Sequence, residues 1–296
     1  MSRIHQIRLN GRRVDRVLLG DRRVAIIETP APRRTINVIL VAGQSNSDGR
    51  VSTTRSGTPT FLTANTVPGV EVWTGYDIRP YTLYDIGPDG NGTSFATHTT
   101  NPASLNNFSW NQVATYRINE ALGDVVVCQV TEGWTALAPR DNYPRGSWTP
   151  PPESPPTNTP HLLTALEQRF IALKSYCAAN KINMNVLCML WQQGAADYER
   201  PDGPSGYALR WGRLIEHVRG FTNTPQLPIL CGTIPSHSIS YNEQIAAAQL
   251  NSALIYSNVW CRDNNDTTFF DTLHYDATSS AMFGEWAAQK FLTEAI

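Results

Sequence analysis

A serine, an aspartate and a histidine in this chain have the types and the setting that acyl transfer needs. Residues 36–42 form an apolar run that stops at Gly43, and Ser45 follows on a turn. Towards the other end, Asp271 and His274 stand three apart in Asp-Thr-Leu-His. A serine hydroxyl is a poor nucleophile until a base takes its proton. His274 has the chemistry of that base, and Asp271 that of the group which holds its tautomer and stabilises the imidazolium. Serine is also a favoured helix cap, the plain alternative for Ser45; the strand–turn–serine context favours the nucleophile. The order Ser…Asp…His occurs in α/β-hydrolases, whose elbow is Gly-x-Ser-x-Gly. That pattern occurs nowhere here; the serine lies in Gly43-Gln44-Ser45-Asn46. The histidines at 5, 98, 161, 217 and 237 have no such company and default to surface or core roles, although His237 lies beyond the 227–231 strand and could border the site. No His/Cys/carboxylate cluster has metal-ligand spacing, so neither a metal nor another cofactor is expected.

Elements that could hold these residues follow from the hydrophobic pattern. Apolar strand candidates lie at 36–42, 124–130, 184–190 and 227–231, with another near 256–261. Helical patterns lie between them. The clearest is 162–177, with Leu162, Leu163, Leu166, Phe170, Leu173 and Cys177 on one face; others run near 207–220, 242–254 and 277–292. Continuous apolar strands alternating with helices predict an α/β fold, a three-layer αβα sandwich around a mostly parallel sheet. In such sheets ligands bind beyond the strands' carboxyl ends. Ser45, Gly133 and Gln193 fall there, after the first three strands. Gly133 serves either as a turn glycine or as a backbone amide that faces substrate closely. Two stretches read as long loops: 50–107, rich in Thr, Gly, Asn and Pro, and 136–160, which carries eight of the chain's 20 prolines. Loops of that length in a compact domain are usually functional or disordered, and these are expected to wall a substrate groove.

Composition bounds the partners. The 296 residues are 41% apolar and 17% charged, an ordinary globular balance. The net charge of −1 argues against nucleic acid. It conceals an asymmetry: residues 1–34 hold nine arginines and three acids (+6), while the remainder carries −7. No apolar run reaches membrane-span length, and the N-terminal segment has no apolar core of a secretory signal, so synthesis in the cytoplasm is expected. Five cysteines without Cys-x-x-Cys spacing read as reduced, buried thiols. Residues 7–14 and 17–24 repeat with a period of ten and carry the turn signals Asn10-Gly11 and Gly20-Asp21. Residues 1–30 are therefore expected to form a small β-meander that needs a partner surface. The expected domains are 1–30, an attachment module, and 35–296, the catalytic domain.

Four blocks in order resemble the SGNH (GDSL-like) hydrolases, and within them the carbohydrate esterase branch that includes sialate and acetylxylan O-acetylesterases. They are Gly43-Gln44-Ser45-Asn46 with Gly49, Glu132-Gly133-Trp134-Thr135-Ala136-Leu137, Trp191-Gln192-Gln193-Gly194-Ala195-Ala196-Asp197, and Asp271-Thr272-Leu273-His274-Tyr275. The resemblance spans roughly residues 35–295. It implies a flavodoxin-like SGNH fold and a serine esterase that removes O-acetyl groups from a glycan. It further implies an oxyanion hole drawn from Ser45, Gly133 and Gln193, the last either as a donor or as a tie between loops. Gln44, Asn46 and Trp134 are the expected substrate contacts. Trp148 and Trp191 are weighed as sugar platforms against core packing, which for Trp191 is the stronger reading. Asp197 reads as a loop or helix-cap residue. Two positions depart from the family pattern: Ala195 replaces its glutamate and Gln192 its histidine. The N-terminal repeat is similar in phrasing to segments of bacteriophage tail appendages, which implies a virion or homo-oligomer partner for residues 1–30 and a bacterial surface polysaccharide as substrate. The competing readings are a carbohydrate-binding or structural appendage with a degenerate site, favoured by Ala195, and an ordinary intracellular bacterial esterase.

Overall fold

The chain's apolar runs become the centre of one sheet. In the computed structural model, which describes residues 5–9, 12–16, 34–62, 66–76, 78–82, 107–140, 145–153 and 158–296, β1 (His5–Leu9) and β2 (Arg12–Arg16) form an antiparallel hairpin with Leu9 opposite Arg12. The second half of the ten-residue repeat lies outside the described residues. The main sheet is built on β3 (Arg34–Gly43), whose residues from Val38 to Gly43 are all buried. A strand buried on both faces needs layers above and below, and this one has them.

The short strand β4 (Val51–Ser52) is followed by β5 (Thr66–Trp73), β6 (Ile78–Thr82) and β7 (Asn107–Phe108). Next come β8 (Val125–Thr131), β9 (Ile182–Gln192), β10 (Ile229–Gly232) and β11 (Val259–Arg262). Seven of them form a sheet in the order β11-β10-β9-β3-β8-β5-β6. All its pairings are parallel except β5 with β6. β4 and β7 pair separately.

The helices are α1 (Ser45–Asp48), α2 (Trp110–Leu122), α3 (Leu162–Asn180), α4 (Gly203–Thr222), α5 (Glu243–Ile255) and α6 (Ala277–Glu294). They divide between the two faces of the sheet. On one face Leu166 and Phe170 of α3, Trp211 and Leu214 of α4, and Ile245 of α5 pack with Val38, Leu40 and Met189. On the other, Val113 and Ile118 of α2 and Phe283 and Phe291 of α6 pack with Ile39, Val41 and Leu190. The sheet residues alternate between the two cores along β3, as the period of two requires. The predicted αβα sandwich is the observed fold, and the five predicted strands and four predicted helices are all present.

Two expectations change. The stretch 50–107 is not wholly irregular: it supplies β5 and β6, the last strands on one side of the sheet. Pro68 and Gly69 interrupt the strand pattern there, and the β5–β6 register shifts between Thr66 and Glu71, so periodicity alone conceals it. Helix α2 had a clear signal in a capping box: Ser109 accepts from Asn111 N, while the Gln112 side chain accepts from Ser109 N at 2.8 Å. All five cysteines are free, four of them buried, and burial pushes the Cys128 thiol up to about 12.

Candidate active site

Three strand ends meet at the site. β3 lies between β8 and β9, and Gly43 is the Cα partner of both Thr131 and Gln192. Ser45 and Gly133 therefore stand two residues beyond one matched pair. Gly43 has φ 132°, and a Cβ there would lie 2.3 Å from Gln192 O. Only glycine turns the chain so close to its neighbour strand. Gln44 N then donates to Gln192 O at 2.9 Å, and Ser45 opens the single-turn helix α1. Ser45 is thus not a cap; Gln44 occupies that position without a side-chain bond. Ser45 retains 8% exposure. Behind it, Asn111 Nδ2 donates to Ser47 O at 2.6 Å, which ties the serine turn to α2.

Asp271 and His274 form a closed unit. His274 Nδ1 lies 2.7 Å from Asp271 Oδ2, while Asp271 Oδ1 accepts from Leu273 N and His274 N, each at 2.7 Å. Partial burial opposes ionisation of Asp271, but the His274 side chain and these two amides outweigh it and hold the carboxyl below its usual range. The serine and histidine turns are joined directly. Asn46 Nδ2 donates to Leu273 O at 3.1 Å, and Tyr275 N donates to Asn46 Oδ1 at 3.3 Å. Beneath them Tyr275 is buried. Its hydroxyl accepts from Asn264 Nδ2 (2.9 Å) and Gln192 Nε2 (3.2 Å) and donates to Thr233 O (3.2 Å). Gln192, which stands where the family pattern has histidine, thus supports the residue after His274.

The Gly133 turn is crowded. A Cβ on Gly133 would lie 2.7 Å from Arg50 Nη2 and 3.5 Å from Arg145 Nη1. Arg50 pairs with Asp48 and Arg145 with Glu132. The next residue, Trp134, has φ 62°, a left-handed conformation that costs a bulky residue about 1–3 kcal/mol. It is half-buried beside the turn. Thr135 Oγ1 donates to Glu132 O and accepts from Trp148 Nε1.

Several expected roles move. Gln193 is fully buried: its Nε2 donates to Thr135 O (2.8 Å) and Asp197 Oδ2 (2.6 Å), and its Oε1 accepts from Tyr207. Both amide hydrogens are committed, so of the two alternatives its contacts fill the tie between loops. Gln44 is buried, and the Asn46 amide is engaged on the His274 turn; Asn46 and Trp134 are both half-buried. Trp148 and Trp191 are core residues, meeting edge to face at 5.1 Å, with Trp191 stacked on Trp211. Asp197 lies in the turn after β9, the loop position read from the sequence, and does not cap α4, whose N-cap is Asp202. It is buried and accepts from Leu137 N, Ala138 N and Gln193. Burial pushes its carboxyl up to about 6 against those bonds.

Residues 168–293 match the family described as carbohydrate esterase, sialic acid-specific acetylesterase. That match covers the C-terminal part of the chain, from α3 to α6, and includes Gln193, Asp271 and His274 but not Ser45 or Gly133. Solved structures of similar fold include a protein of Arabidopsis thaliana (TM-score 0.64, 20% identity, 87% of this chain and 98% of that one). NanS is similar at TM-score 0.57 and 16% identity, over 89% of this chain and 98% of its own. A carbohydrate acetylesterase from Xanthomonas citri is similar at TM-score 0.56 and 14% identity, over 85% of this chain and 54% of its own. At these identities the likeness is one of fold. No curated protein matches the chain.

Proposed function

We propose that Ser45, His274 and Asp271 are the catalytic triad of a serine esterase that deacetylates a glycan. The observation that carries this is the Asp271–His274 pair, closed at 2.7 Å and bound through Asn46 to the serine turn. His274 Nε2 takes the proton of Ser45 Oγ as the oxygen attacks the acetyl carbonyl carbon. The backbone amides of Ser45 and Gly133 hold the oxyanion. His274 then gives its proton to the sugar oxygen as the ester C–O bond breaks. A water, deprotonated by the same imidazole, attacks the acetyl-enzyme, and acetate leaves with Ser45 restored. Asp271, ionised throughout, keeps Nδ1 protonated. Trp134 offers its ring to the sugar at the edge of the Gly133 turn.

The finer reading places the enzyme on a phage or prophage appendage, where it trims acetylated bacterial surface polysaccharide. Its support is the ten-residue repeat and the +6 charge of residues 1–34. The experiment is acetate release from a panel of O-acetylated glycans, run beside Ser45→Ala. Release by the wild type and none by the variant is expected. A variant that still releases acetate would remove Ser45 as nucleophile, and a wild type confined to small aryl esters would remove the carbohydrate reading.

A further inference from the structure

Beside the Asp271–His274 turn lies an open cleft of about 630 Å³, a size typical of small-molecule sites. Ser45 is not on its wall; Asp271 and Thr272 are, so it adjoins the acyl site across one turn of chain. Its apolar surface comes from the half-buried Phe269 ring and from Ile239, 59% exposed. The Phe269 ring is fixed from two sides, with its centroid 5.6 Å from Tyr275 and 4.9 Å from His237.

Around this surface stand unused polar groups. Asn265 Oδ1 accepts from Ser236 N at 2.7 Å, which orients the amide, and among the described residues Nδ2 makes no hydrogen bond. Among the described residues, the His237 imidazole and the Thr272 hydroxyl also make no hydrogen bond. The two carboxylates on the wall are already engaged, Asp271 by His274 and Asp266 by Arg262. The cleft therefore does not ask for a cation. It presents a fixed apolar face ringed by free donors and acceptors, which complements a pyranose: one face of C–H groups and a rim of hydroxyls.

We propose that this cleft is a second sugar subsite, which holds the unit next to the acetylated one on a glycan chain. The inference rests on the carbohydrate reading of the acyl site and deepens it: the substrate is a polymer or oligomer, not a free monosaccharide. The hydroxyls of the neighbouring unit reach Asn265 Nδ2, His237 and Thr272, and its C–H face lies against Phe269.

The test uses the full chain with Asn265→Ala and His237→Ala, and three probes: p-nitrophenyl acetate, mono-O-acetylated xylose, and partially O-acetylated xylotetraose, with O-acetylated tetragalacturonate as the acidic counterpart of the last. Each variant is expected to keep its kcat/KM for the aryl ester within about twofold and to raise KM for an acetylated tetramer by roughly five- to tenfold, as loss of one hydrogen bond implies. Its kinetics on the acetylated monosaccharide should not move. Unchanged tetramer kinetics in both variants would overturn the subsite while leaving the carbohydrate reading in place. A wild type that hydrolyses the aryl ester and none of the glycans would overturn the carbohydrate reading, and the subsite with it.

Discussion

Asn46 grips the backbone on both sides of His274, donating to Leu273 O at 3.1 Å and accepting from Tyr275 N at 3.3 Å. One side chain thus ties the His274 turn to the turn that carries Ser45. Removing it frees the His274 turn without touching either reacting atom. Asn46→Ala should lower kcat by about 10- to 100-fold with little change in KM, since a small misplacement of a catalytic group costs on that scale. A variant whose KM rises at constant kcat would return Asn46 to substrate binding.

Ser45→Ala and His274→Ala should each lower turnover by roughly 10³-fold or more, and the double variant should be little worse, because the two act as one unit. Steady-state rates on p-nitrophenyl acetate measure this. Additive losses would mean that they serve different steps.

Gln193→Ala separates a donor from a tie. The substitution strips partners from Thr135 O, Asp197 and Tyr207 in a buried setting, and each unsatisfied group costs about 1–3 kcal/mol. Thermal unfolding should therefore move down by several degrees along with activity. Loss of turnover at an unchanged melting temperature would point to an oxyanion donor instead.

Asp197 gives a pH signature. Its carboxyl, raised to about 6 by burial from an unfolded value near 3.8, binds a proton more tightly folded than unfolded. The folded state is then favoured at low pH, and that advantage is lost as pH rises from about 4 through 6. Asp271, held below its usual range, contributes with the opposite sign. Melting temperature against pH for wild type and Asp197→Asn should show the difference shifting towards the variant as pH rises through 6. A constant offset would mean that Asp197 stays ionised across the range.

Removal of residues 1–30 should leave aryl-ester hydrolysis almost intact and abolish attachment to a partner or to further copies. A short hairpin exposes sheet edges that pair readily, and its basic charge makes the contact salt-sensitive. Loss of activity on truncation would place those strands in the hydrolase core.

The sandwich was legible because β3, β8 and the second half of β9 are apolar and buried and because α3 carries a regular apolar face. The Ser, Asp and His candidates stood out through strand–turn context and local spacing. What stayed hidden depended on distance or burial. The partners of Asn46 lie 227 and 229 positions away, so a residue beside the serine read as a substrate contact. Gln44, Gln193 and Trp148 had polar or aromatic chemistry suited to a site, and only packing reveals that they lie beneath its surface. In β5 the turn residues Pro68 and Gly69 disguise a strand.

The pairing of Gly43 with both Thr131 and Gln192 separates chemistry from specificity in a mechanical sense. The spacing of Ser45 and Gly133 is fixed by strand register, and a slip of one residue would displace it by about 3.3 Å and reverse the face. Insertions in the connections before β8 and after it leave that register untouched. The loops around the site can therefore be rebuilt one by one while the distance between Ser45 and Gly133 stays constant.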